Sequence, residues 1–226
     1  MKRIVTESPD NKGKSYSWNP AWIQPLESPF SIFQKFMFAN VFPLSKLYGV
    51  FGSCLFRVRK IPVINKKFGS LSSLEGFDRE TIHNILKIDL KYIEITTLKQ
   101  FHNDNANLWK SDKYHLKYCQ ECLKQGYHSL LHQLVYIDYC FIHNTPLKNT
   151  CPSCTVVFIY NLKELRFSGP FKCECGHFFL YSDSYRKFPL YWMRKYDMLN
   201  TPLVQMLHSL NKEDLKRCEQ ILHNYG

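Results

Sequence analysis

In the first half of this chain, apolar residues recur at helical spacing behind clear start signals. Glu27-Ser28-Pro29 is the first. Ser28 fits an N-cap and Pro29 the first helical position, whose N–H would be unpaired in any case. Phe30, Phe33, Phe36, Met37 and Val41 follow every three or four residues, and Pro43 is expected to stop the run. A second short helix is predicted over Leu44–Phe51, closing near Gly52. A third, capped by Asp78 or Ser73, carries Ile82, Ile85, Leu86 and Leu90, and a fourth follows near Ile95–His102. The last two fit a helix-turn-helix, a pattern that any small helical domain also shows. Further on, Leu134–Tyr139 and Val156–Tyr160 are short β-branched and aromatic runs, predicted as strands. Residues 201–224 are helical again, with Pro202 at the start and Leu215, Cys218 and Leu222 facing inward near the end. Residues 1–20 are polar and predict a mobile arm. Trp18, Pro20, Trp22 and Pro25 mark an extended segment whose aromatics anchor on the body. The fold class is therefore α+β, mostly helical: an arm over 1–25, a helical domain over 26–112, a strand- and turn-rich part over 113–182 and a helical segment over 183–226.

The central part changes that picture. Seven of the nine cysteines, with one histidine, form four tight pairs: Cys119-x-x-Cys122, Cys140-x-x-His143, Cys151-x-x-Cys154 and Cys173-x-Cys175. Structural zinc takes four soft ligands in a tetrahedron, and a two-residue gap lets one tight turn aim both side chains at one point. Two complete sets of four imply two structural Zn2+ ions, held in tandem zinc fingers or ribbons that make 113–182 a zinc-binding domain. Disulfides fit poorly, because nine is an odd count and Met1-Lys2-Arg3-Ile4 opens no apolar signal segment. The linkers between pairs are 17, seven and 18 residues. Consecutive use, the favoured reading, groups Cys119, Cys122, Cys140 and His143 apart from Cys151, Cys154, Cys173 and Cys175. Interleaved use, as in a cross-braced finger, is the alternative; the gap after His143 is too long and the last pair too close for a RING finger. Both sets are fully subscribed, whereas hydrolytic zinc keeps a position for water. The His-x-Glu of nucleobase deaminases is absent. No catalytic constellation remains, and the chain reads as a non-enzyme. His177 could replace a cysteine as ligand, while His128 and His132 read as packing or surface residues.

Charge narrows the partner. The formal net charge of +11 falls to about +8 once two dications and seven thiolates are counted. A basic chain fits a polyanion, most often nucleic acid, through release of condensed counterions. Candidate phosphate contacts are Arg57, Arg59, Lys60, Lys66 and Lys67 in a basic loop. Arg186, Lys187, Arg194 and Lys195 join them, interleaved with Tyr185, Phe188, Tyr191, Trp192 and Tyr196. In both stretches a solvated surface, or aromatics laid on a core, is the competing reading. Cys54 has no nearby partner and reads as a buried thiol. Hydrophobic residues at 45 % suffice for a core and exclude wholesale disorder. No apolar run approaches the ~18 residues of a membrane span.

Two stretches together resemble the TniQ/TnsD family of transposon target-selection proteins. Leu26-Glu27-Ser28-Pro29-Phe30-Ser31 leading to Phe38-Ala39-Asn40 is similar to the family's N-terminal start. Tyr118-Cys119-Gln120-Glu121-Cys122, Tyr127-His128, Leu134, Cys140-Phe141-Ile142-His143, Pro146-Leu147, Cys151-Pro152-Ser153-Cys154 and Cys173-Glu174-Cys175-Gly176 resemble its zinc region. The match runs over roughly residues 18–180. Phe141 and Asn144 stand where the family usually has proline and glycine. Only about 50 residues follow the zinc region, too few for the C-terminal domains of long TnsD-like members. The resemblance implies a short adaptor that marks a DNA target, in some systems through an RNA-guided complex, and recruits the transposon's AAA+ ATPase regulator. It implies a bacterial, nucleoid-associated protein of the cytoplasm, and self-association is compatible with it. A zinc-finger scaffold that docks proteins without touching DNA is the rival reading.

Neutralising Arg186, Lys187, Arg194 and Lys195 together should lower DNA affinity and flatten its dependence on salt. The log–log slope should fall by about 0.9 for each phosphate that is no longer neutralised. Unchanged binding in a titration at two ionic strengths would assign these aromatics and cations to the core instead.

Overall fold

Helix α1 (Pro29–Asn40) starts where the sequence places it, with Ser28 in extended backbone at the N-cap and Pro29 in the first turn. The Ser28 hydroxyl does not cap the helix. The helix ends before Pro43, at Val41, whose left-handed backbone turns its N–H onto the carbonyls of Met37 and Phe38. Phe30, Ile32, Phe33, Phe36 and Met37 are buried, and so are Ser31, Gln34 and Lys35 between them. A helix covered on every side rather than along one stripe is a central element, and the other parts pack around α1.

This computed structural model describes residues 15–53, 69–89, 115–135 and 137–181, together with Trp192. Among these residues it contains four α-helices and one two-stranded sheet, a mixed α+β architecture. Helix α2 (Leu44–Phe51) buries Leu47, Val50 and Phe51. Helix α3 (Arg79–Leu86) is capped by Asp78, whose side chain accepts from the N–H groups of Glu80 and Thr81. It closes one turn earlier than its apolar stripe suggests, because Lys87 takes a left-handed conformation. Phe33 of α1 stacks on Phe77, just before α3, at 5.2 Å, and Phe36 of α1 lies against Phe51 of α2 at 4.9 Å. Each buried phenylalanine of this kind contributes roughly 1.5–3 kcal/mol.

The arm expected over residues 1–20 is packed from Tyr16 onward. Tyr16, Trp18 and Trp22 are buried. Trp18 Nε1 donates to the Leu86 carbonyl at 3.0 Å, and the Asn40 side chain exchanges two hydrogen bonds with the backbone of Ser17. Three aromatics in so short a segment bury more apolar surface than the arm's entropy opposes. Beneath it lies a fully buried ion pair, Glu27–Lys35, at 2.8 Å. Lys35 Nζ also donates to the Trp22 carbonyl at 2.7 Å and lies over the Trp192 ring. Trp192 itself is buried against Trp22, Phe38 and Gly126.

The central part is joined to α1 by backbone. Ser28 N–H donates to the His128 carbonyl and Leu130 N–H to the Leu26 carbonyl, both at 2.8 Å. Phe171 N–H donates to Gln34 Oε1, also at 2.8 Å. Among the described residues, the strands expected over Leu134–Tyr139 and Val156–Tyr160 do not form, and Tyr139, Val157 and Ile159 make only isolated bridges. The chain reverses too often there for a ladder to grow. The sheet lies later, β1 (Phe167–Gly169) antiparallel to β2 (Lys172–Cys173). No helix among the described residues is long and apolar enough to cross a membrane. The expected helices near Ile95–His102 and over 201–224, and Cys54, lie outside the described residues, and so does the second half of the helix-turn-helix reading.

His128 is fully buried. Its Nε2 lies 2.7 Å from the Lys117 carbonyl, so Nε2 carries the proton and Nδ1 accepts from Ser28 Oγ at 2.6 Å. Burial pulls its pKa down to about 4 from an ordinary 6.5. Between these values the unfolded chain takes up a proton that the folded chain refuses. His128 should therefore lower stability as pH falls through this window, by up to about 3 kcal/mol. Its ring C–H resonances should stay flat from about pH 7 to about pH 5. A midpoint near the ordinary value would show that the ring is not sealed.

Candidate metal centres

Three of the four ligand pairs sit on one backbone device. In Cys140-x-x-His143, the Cys140 N–H donates to the Thr145 carbonyl and the Asn144 N–H returns to the Cys140 carbonyl. In Cys151-x-x-Cys154, Cys151 N–H donates to Val156 and Thr155 N–H returns to Cys151. Cys173-x-Cys175 repeats the turn one residue shorter, with Cys173 N–H on His177 and Gly176 N–H on Cys173. The residue after each second ligand is left-handed: Asn144, Thr155 and Gly176 have φ of 49°, 59° and 95°. A single antiparallel bridge flanks each turn, at Tyr139–Pro146, Thr150–Val157 and Lys172–Phe178. The left-handed residue reverses the chain fast enough to aim both side chains inward, and asparagine and glycine tolerate that conformation better than threonine does. The first pair differs. Cys119 is the N-cap of α4 (Gln120–Lys124) and Cys122 lies inside it.

These turns gather the eight side chains into two consecutive sets, Cys119, Cys122, Cys140 and His143, and Cys151, Cys154, Cys173 and Cys175. Within each set the ligand atoms lie within 4.8 Å of one another. In the first, His143 Nδ1 is 3.5, 3.3 and 3.7 Å from the sulfurs of Cys119, Cys122 and Cys140, and Cys122 Sγ is 3.6 Å from Cys140 Sγ. In the second, Cys151 Sγ is 3.7 Å from Cys175 Sγ and Cys154 Sγ 3.8 Å from Cys173 Sγ. A tetrahedron with a centre-to-sulfur distance of about 2.3 Å has edges of about 3.8 Å. A disulfide would need about 2.05 Å, and all seven cysteines are free thiols. Both sets could hold a metal ion.

Their protons are unevenly held. Hydrogen bonds from Cys122 and Cys140 hold Cys119 far below the ordinary thiol range, while burial pushes Cys122 up. The sulfur of Cys119 raises His143 to about 10. In the second set burial pushes Cys173 up to about 12, and the backbone N–H of His177 draws Cys175 down to about 7. Four crowded acids cannot all ionise against one another, and a dication at the centre is what would let each set deprotonate.

Sequence reasoning missed two supporting residues. Thr145 Oγ1 lies 3.3 Å from Cys119 Sγ. Lys117 Nζ donates to the carbonyls of Leu134, Val135 and Ile137, closing the loop that leads into Cys140. Neither carries a spacing signal, since both meet their partners through folding. His177 belongs to neither set; its Nδ1 is 2.9 Å from Ser153 Oγ. His128 and His132 are buried outside both sets. Arg57, Arg59, Lys60, Lys66, Lys67, Arg186, Lys187, Arg194 and Lys195 lie outside the described residues. Compared with protein-family models the chain matches none, and no curated protein matches it significantly.

A Cβ on Gly176 would meet nothing within 4 Å, so Gly176→Ala tests the backbone alone. It should cost about 1 kcal/mol. Thr155→Gly should cost nothing net, since relief of a β-branched left-handed residue offsets the added chain entropy. Thermal midpoints of the metal-loaded variants check this, and equal losses for both would show that the left-handed position does not set the turn.

Proposed function

We propose that this protein is a non-catalytic, zinc-dependent adaptor of the TniQ/TnsD kind, which marks a DNA target and recruits the transposon's ATPase regulator. The observation that carries the reading is the junction between the two stretches on which the resemblance rests. Leu26-Glu27-Ser28 and Tyr127-His128-Ser129-Leu130 are far apart in sequence, 100 residues between Ser28 and His128. They are nevertheless joined by the Glu27–Ser129 bridge, two backbone hydrogen bonds and the Ser28–His128 side-chain pair. They act as parts of one unit, as a shared motif requires.

Zinc is the fitting ion for both sets, because thiolate and imidazole donors at tetrahedral spacing select a borderline-soft dication. Each set would supply four ligands to an ion and leave no position for water, which supports a structural role. The basic balance of the chain supports DNA as partner, with the lysine and arginine clusters around residues 57–67 and 186–195 meeting phosphates. An RNA-guided complex and a second copy of the chain are further partners in this picture. A protein-docking scaffold has one observation in its favour: Tyr139 and Val135 are exposed on the segment that leads into the first metal set.

Metal analysis of the purified protein should give two zinc ions per chain, and DNA binding should weaken steeply between two salt concentrations. Two zincs without DNA binding would favour the scaffold. Cys119→Ser or Cys151→Ser should unfold the central part, since structural zinc supplies on the order of 10 kcal/mol. A variant that is folded and metal-free would refute structural zinc.

A further inference from the structure

The two metal sets differ in what surrounds them. Cys119, Cys122 and Cys140 are at most 1 % exposed, and only His143 reaches partway to solvent. In the second set Cys151 and Cys173 are buried, but Cys154 and Cys175 are exposed. Each exposed sulfur faces a buried one across the site: Cys154 lies 3.8 Å from Cys173, and Cys175 lies 3.7 Å from Cys151. Each facing pair joins two different hairpins, 19 and 24 residues apart. Donor chemistry points the same way. Four thiolates around a dication leave a net charge of minus two, against minus one for three thiolates and a histidine. The more negative set is the better nucleophile.

We infer that the Cys151, Cys154, Cys173 and Cys175 set is a thiol-oxidation site that releases its metal to a peroxide, while the Cys119, Cys122, Cys140 and His143 set keeps its own. This rests on the zinc reading above. The Cys154 thiolate attacks one peroxide oxygen, forming an S–O bond as the O–O bond breaks and hydroxide leaves. The Cys173 thiolate then attacks the sulfenic sulfur, forming the S–S bond and expelling a second hydroxide. Two thiolates lose two electrons in total, and one peroxide is reduced to two hydroxides. With Cys154 and Cys173 joined, only Cys151 and Cys175 would remain to hold the ion, too few to keep it. The sulfurs must close from 3.8 Å to about 2.05 Å, a movement within reach of two short turns. Cys175 and Cys151 stand in the same relation. The first set has no exposed sulfur on which the sequence of steps can begin.

The test uses the full zinc-loaded chain, hydrogen peroxide and a chromogenic chelator. One equivalent of zinc should be released at least about tenfold faster than the other. Non-reducing peptide mapping should then find Cys154–Cys173 or Cys151–Cys175 disulfides, and a dithiol should restore zinc binding. Iodoacetamide, which needs no disulfide, should label Cys154 and Cys175 before Cys119, Cys122 and Cys140. Release of both zincs at one rate, or first oxidation of the Cys119 set, overturns the inference and leaves the zinc reading standing. A chain that holds no zinc at the outset and alkylates all seven thiols alike overturns both.

Discussion

The structure depends on one buried imidazole. His128 reaches in two directions at once, Nε2 to the carbonyl of Lys117 two residues before the first metal ligand, and Nδ1 to Ser28 at the head of the central helix. A neutral ring with a fixed tautomer can donate at one end and accept at the other, so both halves are satisfied without placing a charge in the core. Around it the Leu26–Leu130 and Ser28–His128 backbone bonds work like a short ladder between segments far apart in sequence. The Glu27–Lys35 pair is the second polar feature of this core. Burial raises the Glu27 carboxyl and the Lys35 ammonium opposes that rise. Removing either partner alone would strand a buried charge, a loss of about 3–5 kcal/mol.

The metal region has little regular structure to hold it. Its two strands are three and two residues long, and its helix α4 has five. Short reversed turns cannot bury enough surface to be stable on their own. Convergence of four donors at a point supplies what packing does not, and it explains why one turn geometry recurs at Cys140, Cys151 and Cys173. The repetition stops at environment. One set is sealed beneath the seam with α1, and the other stands at the surface with two sulfurs open. The two sets thus share a similar ligand spacing and differ in donors and in exposure.

The polar core is used for structure. The deeply buried polar side chains Ser28, Gln34, Glu27, Lys35, His128 and Gln133 are engaged in holding segments together. The adaptor proposed above would need surfaces kept in register, and the seam and the ligand turns are where the described residues are tied together.

Some of this was legible in the chain alone. The start of α1 at Ser28–Pro29, the bounds of α2, the Asp78 cap and the eight ligand residues follow from local rules, because caps, apolar period and paired donors act over a few residues. The consecutive grouping was favoured by linker lengths, but the left-handed Thr155 and the roles of Lys117 and Thr145 depended on where distant segments meet. The failed strands at Leu134–Tyr139 and Val156–Tyr160 show the same divide: their composition favours extended backbone, but the neighbouring reversals leave no partner strand. Local chemistry thus determined which residues could bind a metal and which could form helices. Only the tertiary structure decided that Ser28 would serve His128 rather than its own helix, and that one thiol set would be buried and the other exposed, since burial is a property of the whole packing.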